Sequence, residues 1–428
     1  MGEKIRIGVV ADDITGANDI GVMLAKNGYR AVVVSLSDDP QPEDFLEADA
    51  LIINTGSRLS SAQDAAAKSG RAARILLNLN CERLYTKTCS VFRGNIGASF
   101  DAVQDAAGVQ SSMVVLGFPR NGRTTLHGLH YLNGQLLEES PFRYDPVNPM
   151  TESRLGMIIA RQSGRAWAEF PYESLDEDEK TQKEKLEQLK KAAAYVIFDV
   201  RDQKDLNTIS HLIRDERNIC GASALCEELP KAWDCASAPV TISSAGYGPD
   251  GVLIVCGSLT PQTLAQTDYL LNKGISCVTL PGEDTLQRES MERAVRCATE
   301  KICEYQLQGR VVVLRASQDR ENVRAAAAGM GLSPQAAGMR ISEALGRVTH
   351  NVRAKTGISR ILVAGGETSD AVSSALGIRR MRIGQEMEPG VPLMTGETAQ
   401  GEKLLLVFKS GSFGSTEFLY NTAAQMRD

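Results

Sequence analysis

The chain has 428 residues, enough for two or three domains at roughly 150 residues each. Hydrophobic residues make up 43% and charged residues 23%, the balance of a globular protein, which excludes a largely disordered chain. Lysine and arginine total 47 against 53 acids, a net charge of −6 with no basic stripe. That argues against nucleic acid as a main partner, though not against small anions held by a few placed cations.

Met1–Lys4 leads straight into the apolar strand Ile5–Val10. No long apolar stretch precedes a cleavage site, so no signal peptide is expected. No run approaches about 18 apolar residues, so no membrane helix and no membrane partner are expected. Nine dispersed cysteines without a CxxC pair suit reduced thiols and a cytoplasmic location.

The helix Ala17–Asn27 and the strands Ala31–Ser35 and Leu51–Asn54 come next. The alanine-rich helix Ala62–Leu79, the strand Arg83–Thr86 and the buried strand Val114–Leu116 follow. Strands alternating with helices predict βαβ units and a mostly parallel sheet. Residues 118–150 are rich in Gly and Pro and read as a long ordered loop with a hairpin around Tyr131–Leu136. A connection of that length without a helix is usually functional. Leu175–Lys191 reads as a solvated helix, with acids at its start and lysines at its end. Tyr195–Val200 and Asn218–Ala224 return to strand patterns.

The segment 231–249 has no strand or helix period and marks the domain boundary. Beyond it the alternation restarts. Strand Val252–Cys256 leads to helix Pro261–Asn272, strand Ser276–Thr279 and helix Thr285–Tyr305. Strand Val311–Leu314, a helix through Glu343–Thr356 and strands Ile361–Val363 and Leu404–Val407 complete it. The expected fold class is α/β: two α/β domains with mostly parallel sheets, residues 1–235 and 236–428. A homodimer is the base-rate assembly.

The chemistry-bearing residues cluster after strands, where such sheets place ligands. Asp12 and Asp13 follow the first strand. One of them can cap the next helix, and an aspartate there can also take a proton from a substrate hydroxyl. Arg58, in Asn54-Thr55-Gly56-Ser57-Arg58, can fork two hydrogen bonds onto a carboxylate or phosphate. Lys87-Thr88-Cys89-Ser90-Val91-Phe92-Arg93 offers two cations and two hydroxyls, a set suited to a polyhydroxy acid. In the second half, Ala364-Gly365-Gly366-Glu367-Thr368 is a strand, a glycine turn and a helix start, whose free amides can cradle an anion. Cys256-Gly257-Ser258 and Lys409-Ser410-Gly411 are turns of the same type. Three of them suggest a nucleotide with phosphates on backbone amides. Gly246–Gly251 spells GxGxxG but precedes a strand instead of following one, so it is not a dinucleotide fingerprint. There is no P-loop, no GxSxG elbow and no histidine set for zinc.

Together these segments resemble the four-carbon acid sugar kinase family. The matches run in order: Ala11–Ala17, Thr55–Arg58, Lys87–Asn95, Phe118–Thr125 and Asp145–Met150 in the first half. Gly257–Thr263, Ala364–Ile378, Glu388–Pro392 and Lys409–Gly414 follow in the second. The resemblance implies an ATP-dependent kinase of threonate, erythronate or a 3-oxo-tetronate. It implies an N-terminal sugar-acid domain and a C-terminal nucleotide domain. Asp12 or Asp13 would orient the attacking hydroxyl and accept its proton, while Arg58, Lys87, Thr88, Cys89, Ser90 and Arg93 meet the acid. Ser258, Gly365, Gly366, Glu367, Thr368 and Gly411 would meet ATP. Mg²⁺ would accompany it, with Glu367, Asp370 and Glu388 as candidate carboxylates. The chain departs from the family at Cys89, where an aspartate is usual, which removes a charge and two acceptors. Two other readings differ in class. A nucleotide-dependent oxidoreductase is disfavoured by the missing fingerprint, and a non-catalytic sugar-acid sensor is suggested by Cys89.

Overall fold

The first strand, IGVVA, is buried at every position, and the rest of its sheet follows from the same composition. The computed structural model describes residues 6–145, 147–317 and 320–427. Ile5, the predicted start of that strand, and Pro146 of the 118–150 segment lie outside the described residues. The chain divides into two units between Val240 and Thr241, where the sequence placed the boundary after residue 235.

The main sheet of the first unit is built from β1 (Ile7–Ala11), β2 (Ala31–Ser35), β3 (Ala50–Asn54), β4 (Arg83–Lys87) and β5 (Ser112–Val115). A separate small sheet holds β6 (Arg123–Leu126), β7 (Leu129–Leu132) and β8 (Gln135–Leu136). The strands β9 (Trp167–Phe170), β10 (Tyr195–Phe198) and β11 (Asn218–Gly221) complete the main sheet. Its order is β2-β3-β1-β4-β11-β5-β10-β9. Every neighbouring pair in it is parallel. Parallel strands covered on both faces need near-continuous apolar runs, which ALIIN and YVIF supply. After β1 the chain builds β2 and β3 on one side and β4 on the other. The carboxyl ends of β3, β1 and β4 therefore flank a topological switch point, where open α/β sheets bind ligands.

Several elements differ from the sequence reading. The first helix runs Ile14–Ala25, starting earlier than predicted, because Asp13 caps it by accepting from the Gly16 amide at 2.7 Å. The helices Ile96–Ala107 and Gln203–Leu212 were not anticipated. The 118–150 segment holds three antiparallel strands where one hairpin was expected. Its turns, His127-Gly128 and Asn133-Gly134, both have positive φ, the geometry of tight hairpin connections.

The second unit contains β12 (Val252–Cys256), β13 (Ser276–Leu280), β14 (Val311–Ala316) and β15 (Arg360–Ala364). It continues with β16 (Ile378–Glu388), β17 (Val391–Thr398) and β18 (Lys403–Lys409). The order is β13-β14-β12-β15-β18-β17-β16. The first five are parallel, and β17 and β16 add an antiparallel ribbon that the sequence reading did not resolve. The long helix starts at Pro334, well before the predicted Glu343, and a further helix spans Arg320–Gly329. The switch point here lies between β12 and β15. No described helix is long and apolar enough to cross a membrane. All nine cysteines are unpaired.

Candidate active site

At the first switch point the backbone fixes three strand ends against one another. The Asp12 carbonyl accepts from the amides of Ser57 at 2.9 Å and Arg58 at 3.2 Å. The Thr88 amide donates to the Gly221 carbonyl at 2.9 Å, which fastens the loop after β4 to β11.

Arg58 lies between the two aspartates. Its Nε and Nη2 donate to Asp12 at 3.0 and 2.7 Å. Its Nη2 also donates to Asp13 Oδ1 at 2.8 Å, and Nη1 donates to Asp13 Oδ2. Asp13 accepts in addition from the Thr15 hydroxyl at 2.8 Å and the Gly16 amide. These donors separate the two acids. Burial pushes both upward. For Asp13, Arg58, Lys87 and the local hydrogen bonds outweigh it and hold the carboxyl below the usual carboxylate range. For Asp12, burial wins over Arg58, and the carboxyl is raised. Asp12, not Asp13, lines a small recess with Ser57, Lys87, Thr88, Asn95 and Ser99.

Lys87 is 2% exposed. Its Nζ pairs with Asp19 at 3.2 Å and donates to the Thr88 carbonyl at 2.9 Å. Arg93 pairs with Asp145 at 2.9 Å, and its Nε reaches Cys89 Sγ at 3.5 Å. Burial would raise the Cys89 thiol, but Arg93 and Arg58 outweigh it and hold it below an ordinary thiol. The sulfur thus accepts from the Arg93 guanidinium. The Ser90 carbonyl accepts from His130 Nε2 at 2.9 Å. Because a carbonyl can only accept, His130 carries its proton on Nε2, and Nδ1 takes the Thr125 hydroxyl at 3.1 Å. Burial lowers the His130 pKa to about 4. Asp12, Asp13, Arg58, Lys87, Thr88, Cys89, Ser90 and Arg93 therefore share one rim. Asp19, His130 and Asp145 belong to it too, and the sequence reading missed their roles. Asp19, two residues beyond the matched Ala11–Ala17, and Asp145, inside a matched motif, were the available signals.

The second switch point is built differently. Gly365 has φ +127, a conformation closed to other residues, and opens the helix Gly366–Ala375 with no side-chain cap. A Cβ on Gly365 would press on the Ser258 amide and Thr368 Oγ1, both at 3.2 Å. A Cβ on Gly411 would collide with Ser258. The Gly411 carbonyl accepts from Thr260 Oγ1 at 2.6 Å, Thr263 Oγ1 at 2.8 Å and Lys409 Nζ at 3.3 Å. Three donors on one carbonyl lock that peptide. Lys409 is wholly buried, and burial lowers its pKa to about 8. Ser258, Gly365, Thr368 and Gly411 thus lie together. Glu367 is exposed on the first turn of the same helix, beside Gly366. Lys409, Thr260 and Thr263 were not predicted, although all three fall in the matched motifs. Glu388 is occupied by the amide and hydroxyl of Ser415, each at 2.6 Å.

A side-chain cluster of acids and cations in one unit and glycine-packed turns at a helix start in the other fit a two-domain phosphotransferase, the class to which the chain's kinase relatives assign it. Residues 7–229 match the model of a sugar-binding N-terminal domain, and residues 253–419 that of a nucleotide-binding C-terminal domain. The chain is 31% identical to a 3-oxo-tetronate kinase of Pseudomonas fluorescens, covering 98% of this chain and 97% of that one. It is 33% identical to a D-threonate kinase of Salmonella typhimurium, covering 96% of both. A solved Salmonella typhimurium structure superposes with a TM-score of 0.79 at 27% identity, over 97% of this chain and 98% of that one. A Haemophilus influenzae structure, at 24% identity and TM-score 0.73 over 98% and 100%, shares the fold. The chain belongs to the four-carbon acid sugar kinase family.

Proposed function

We propose that the protein transfers the γ-phosphoryl group of ATP to a hydroxyl of a four-carbon sugar acid of the threonate, erythronate or 3-oxo-tetronate type. The observation that carries this reading is the Asp12–Arg58–Asp13 array at the carboxyl end of β1. Its two acids have been driven apart in proton affinity. Phosphoryl transfer asks a protein mainly for positioning and charge neutralisation, plus a group to take the hydroxyl proton. Asp12, raised by burial and lining the recess, is the general base. Asp13, held ionised and spent on four donors, caps the helix and anchors Arg58. The sugar hydroxyls meet Lys87, Thr88 and Ser90. The curated relatives named for 3-oxo-tetronate and D-threonate support this substrate class.

ATP binds the second domain with its phosphates over the Gly365–Thr368 turn, beside Ser258 and Gly411. The glycine-packed turns, where a Cβ would intrude, support that reading. Mg²⁺ accompanies the nucleotide. Magnesium is commonly held by one or two carboxylates, phosphate oxygens and water, and Glu367 and Asp370 offer oxygen donors beside the turn. When bound, the ion neutralises charge on the phosphates.

The test is coupled ADP release with D-threonate, D-erythronate, L-threonate and 3-oxo-tetronates. Turnover of at least one, and none without an acid, is expected. Saturable binding of an acid with no ADP from any of them would favour a sensor instead.

A further inference from the structure

The three cations that the resemblance places at the acid are all neutralised inside the protein. Arg58 is shared by Asp12 and Asp13, Lys87 is paired with Asp19, and Arg93 with Asp145. A different cation faces the same loop. Arg123, on β6, is 8% exposed. Among the described residues no carboxylate lies within ion-pair distance of it. Its Nε is buried with no hydrogen-bond partner, and its Nη1 donates to the Asn121 carbonyl. A buried guanidinium without a counter-ion is costly unless something anionic completes it.

The strand aims Arg123. Residues two apart on a strand point to the same face, and β6 alternates buried and half-buried positions from Arg123 to Leu126. Thr125, on the face of Arg123, meets His130, which holds the Ser90 carbonyl. That face of β6 therefore looks onto the Lys87–Arg93 loop. The electrostatics agree. Burial pushes the Arg123 guanidinium below an ordinary arginine, and the groups that oppose this are Cys89 and Asp19.

We propose that Arg123 binds the carboxylate of the sugar-acid substrate. This rests on the reading of the first domain as the acid site. It assigns the fork of a planar guanidinium to the one substrate group that matches it. It leaves Arg58 to Asp12 and Asp13 and Lys87 to the hydroxyls.

The experiment compares wild type with Arg123→Met and Arg123→Lys in the full chain. The substrates are the acid that wild type turns over best and the tetritol in which CH₂OH replaces its carboxylate. Arg123→Met should lower kcat/KM for the acid by about 100-fold, within the range for truncating a buried charge pair. It should leave the tetritol and the KM for ATP within about 3-fold, the scatter of a variant that touches neither. Arg123→Lys should recover part of the loss. In thermal melts without ligand, Arg123→Met should unfold at or above the wild-type temperature, since an unpaired charge has gone. The upward shift given by the acid should vanish while that given by ATP persists. Equal losses on acid and tetritol, or a retained acid shift, overturn the proposal. If the tetritol is not turned over, the melts decide alone. If wild type is stabilised by the acid yet releases no ADP, the kinase reading fails, and the melts still judge Arg123. If no acid stabilises wild type, both fail.

Discussion

On the proposed reading the two switch points solve the same problem, holding an anion, with opposite materials. In the first unit the work falls to long side chains, and among the described residues each cation at the rim except Arg123 comes with its own acid. In the second it falls to the main chain, with glycines at Gly365 and Gly411 and a carbonyl pinned by Thr260, Thr263 and Lys409. Forked, directional donors read the shape of a small acid. Amides at a helix start bind phosphate with little regard to what else the ligand carries. The difference would also explain how a chain of net charge −6 serves the two anions of the proposed reaction: attraction is local, and the total charge says little about it.

The largest expected break of this contrast is at Asp12. Asp12→Asn removes the base and should lower kcat by 10²- to 10⁴-fold, the usual span for general-base loss, with ATP affinity unchanged in a binding titration. Asp13→Ala should instead lower stability by about 1 kcal/mol through the lost cap, read as a fall in the denaturant midpoint. If Asp13→Asn abolishes turnover and Asp12→Asn does not, the roles are reversed.

Next in size is the acid sensitivity of the first domain. His130 sits at about 4 in the fold against 6.5 in a model peptide. A buried neutral histidine binds fewer protons than the unfolded chain does between those values, so stability rises with pH across that window and is lost as pH falls from 6.5 toward 4. Linkage puts the full difference at about 3 kcal/mol. Chemical unfolding at a series of pH values should show a shallower slope in His130→Gln.

Gly365→Ala sharpens the contrast from the other side. At φ +127 an alanine is strained by about 1 to 3 kcal/mol. KM for ATP should rise about 10-fold or more at that strain, with KM for the acid unmoved. A variant that shifted the acid KM instead would contradict the division of labour. The smallest effect is at Cys89. Cys89→Ala removes a soft acceptor from Arg93 and should change the acid KM about 3- to 5-fold, in keeping with a hydrogen bond of ordinary net strength.

The strand ends were legible because they are written locally. Apolar runs followed by Asp-Asp, Gly-Ser-Arg or Gly-Gly announce themselves within a few residues. The ion pairs were not. Arg93 finds Asp145 52 residues away, and Arg58 reaches back 46 residues to Asp12, distances over which a sequence carries no geometry. Arg123 was hidden for the same reason. It stood inside a matched motif, but only the β6 strand shows which way it faces, and only the fold shows that no described acid pairs with it. The helix Ile96–Ala107 escaped because it opens directly out of the Lys87–Asn95 loop without a side-chain cap. The β16–β17 ribbon escaped because charged residues interrupt its apolar pattern.

The most direct test of the central claim is a stoichiometric one: the enzyme is incubated with ATP, magnesium and a four-carbon sugar acid, and products are followed by ³¹P NMR. The account predicts one phosphorylated acid for every ADP formed, and no reaction when the acid is left out. ADP accompanied by inorganic phosphate alone, or no reaction with any acid of the panel, would contradict it.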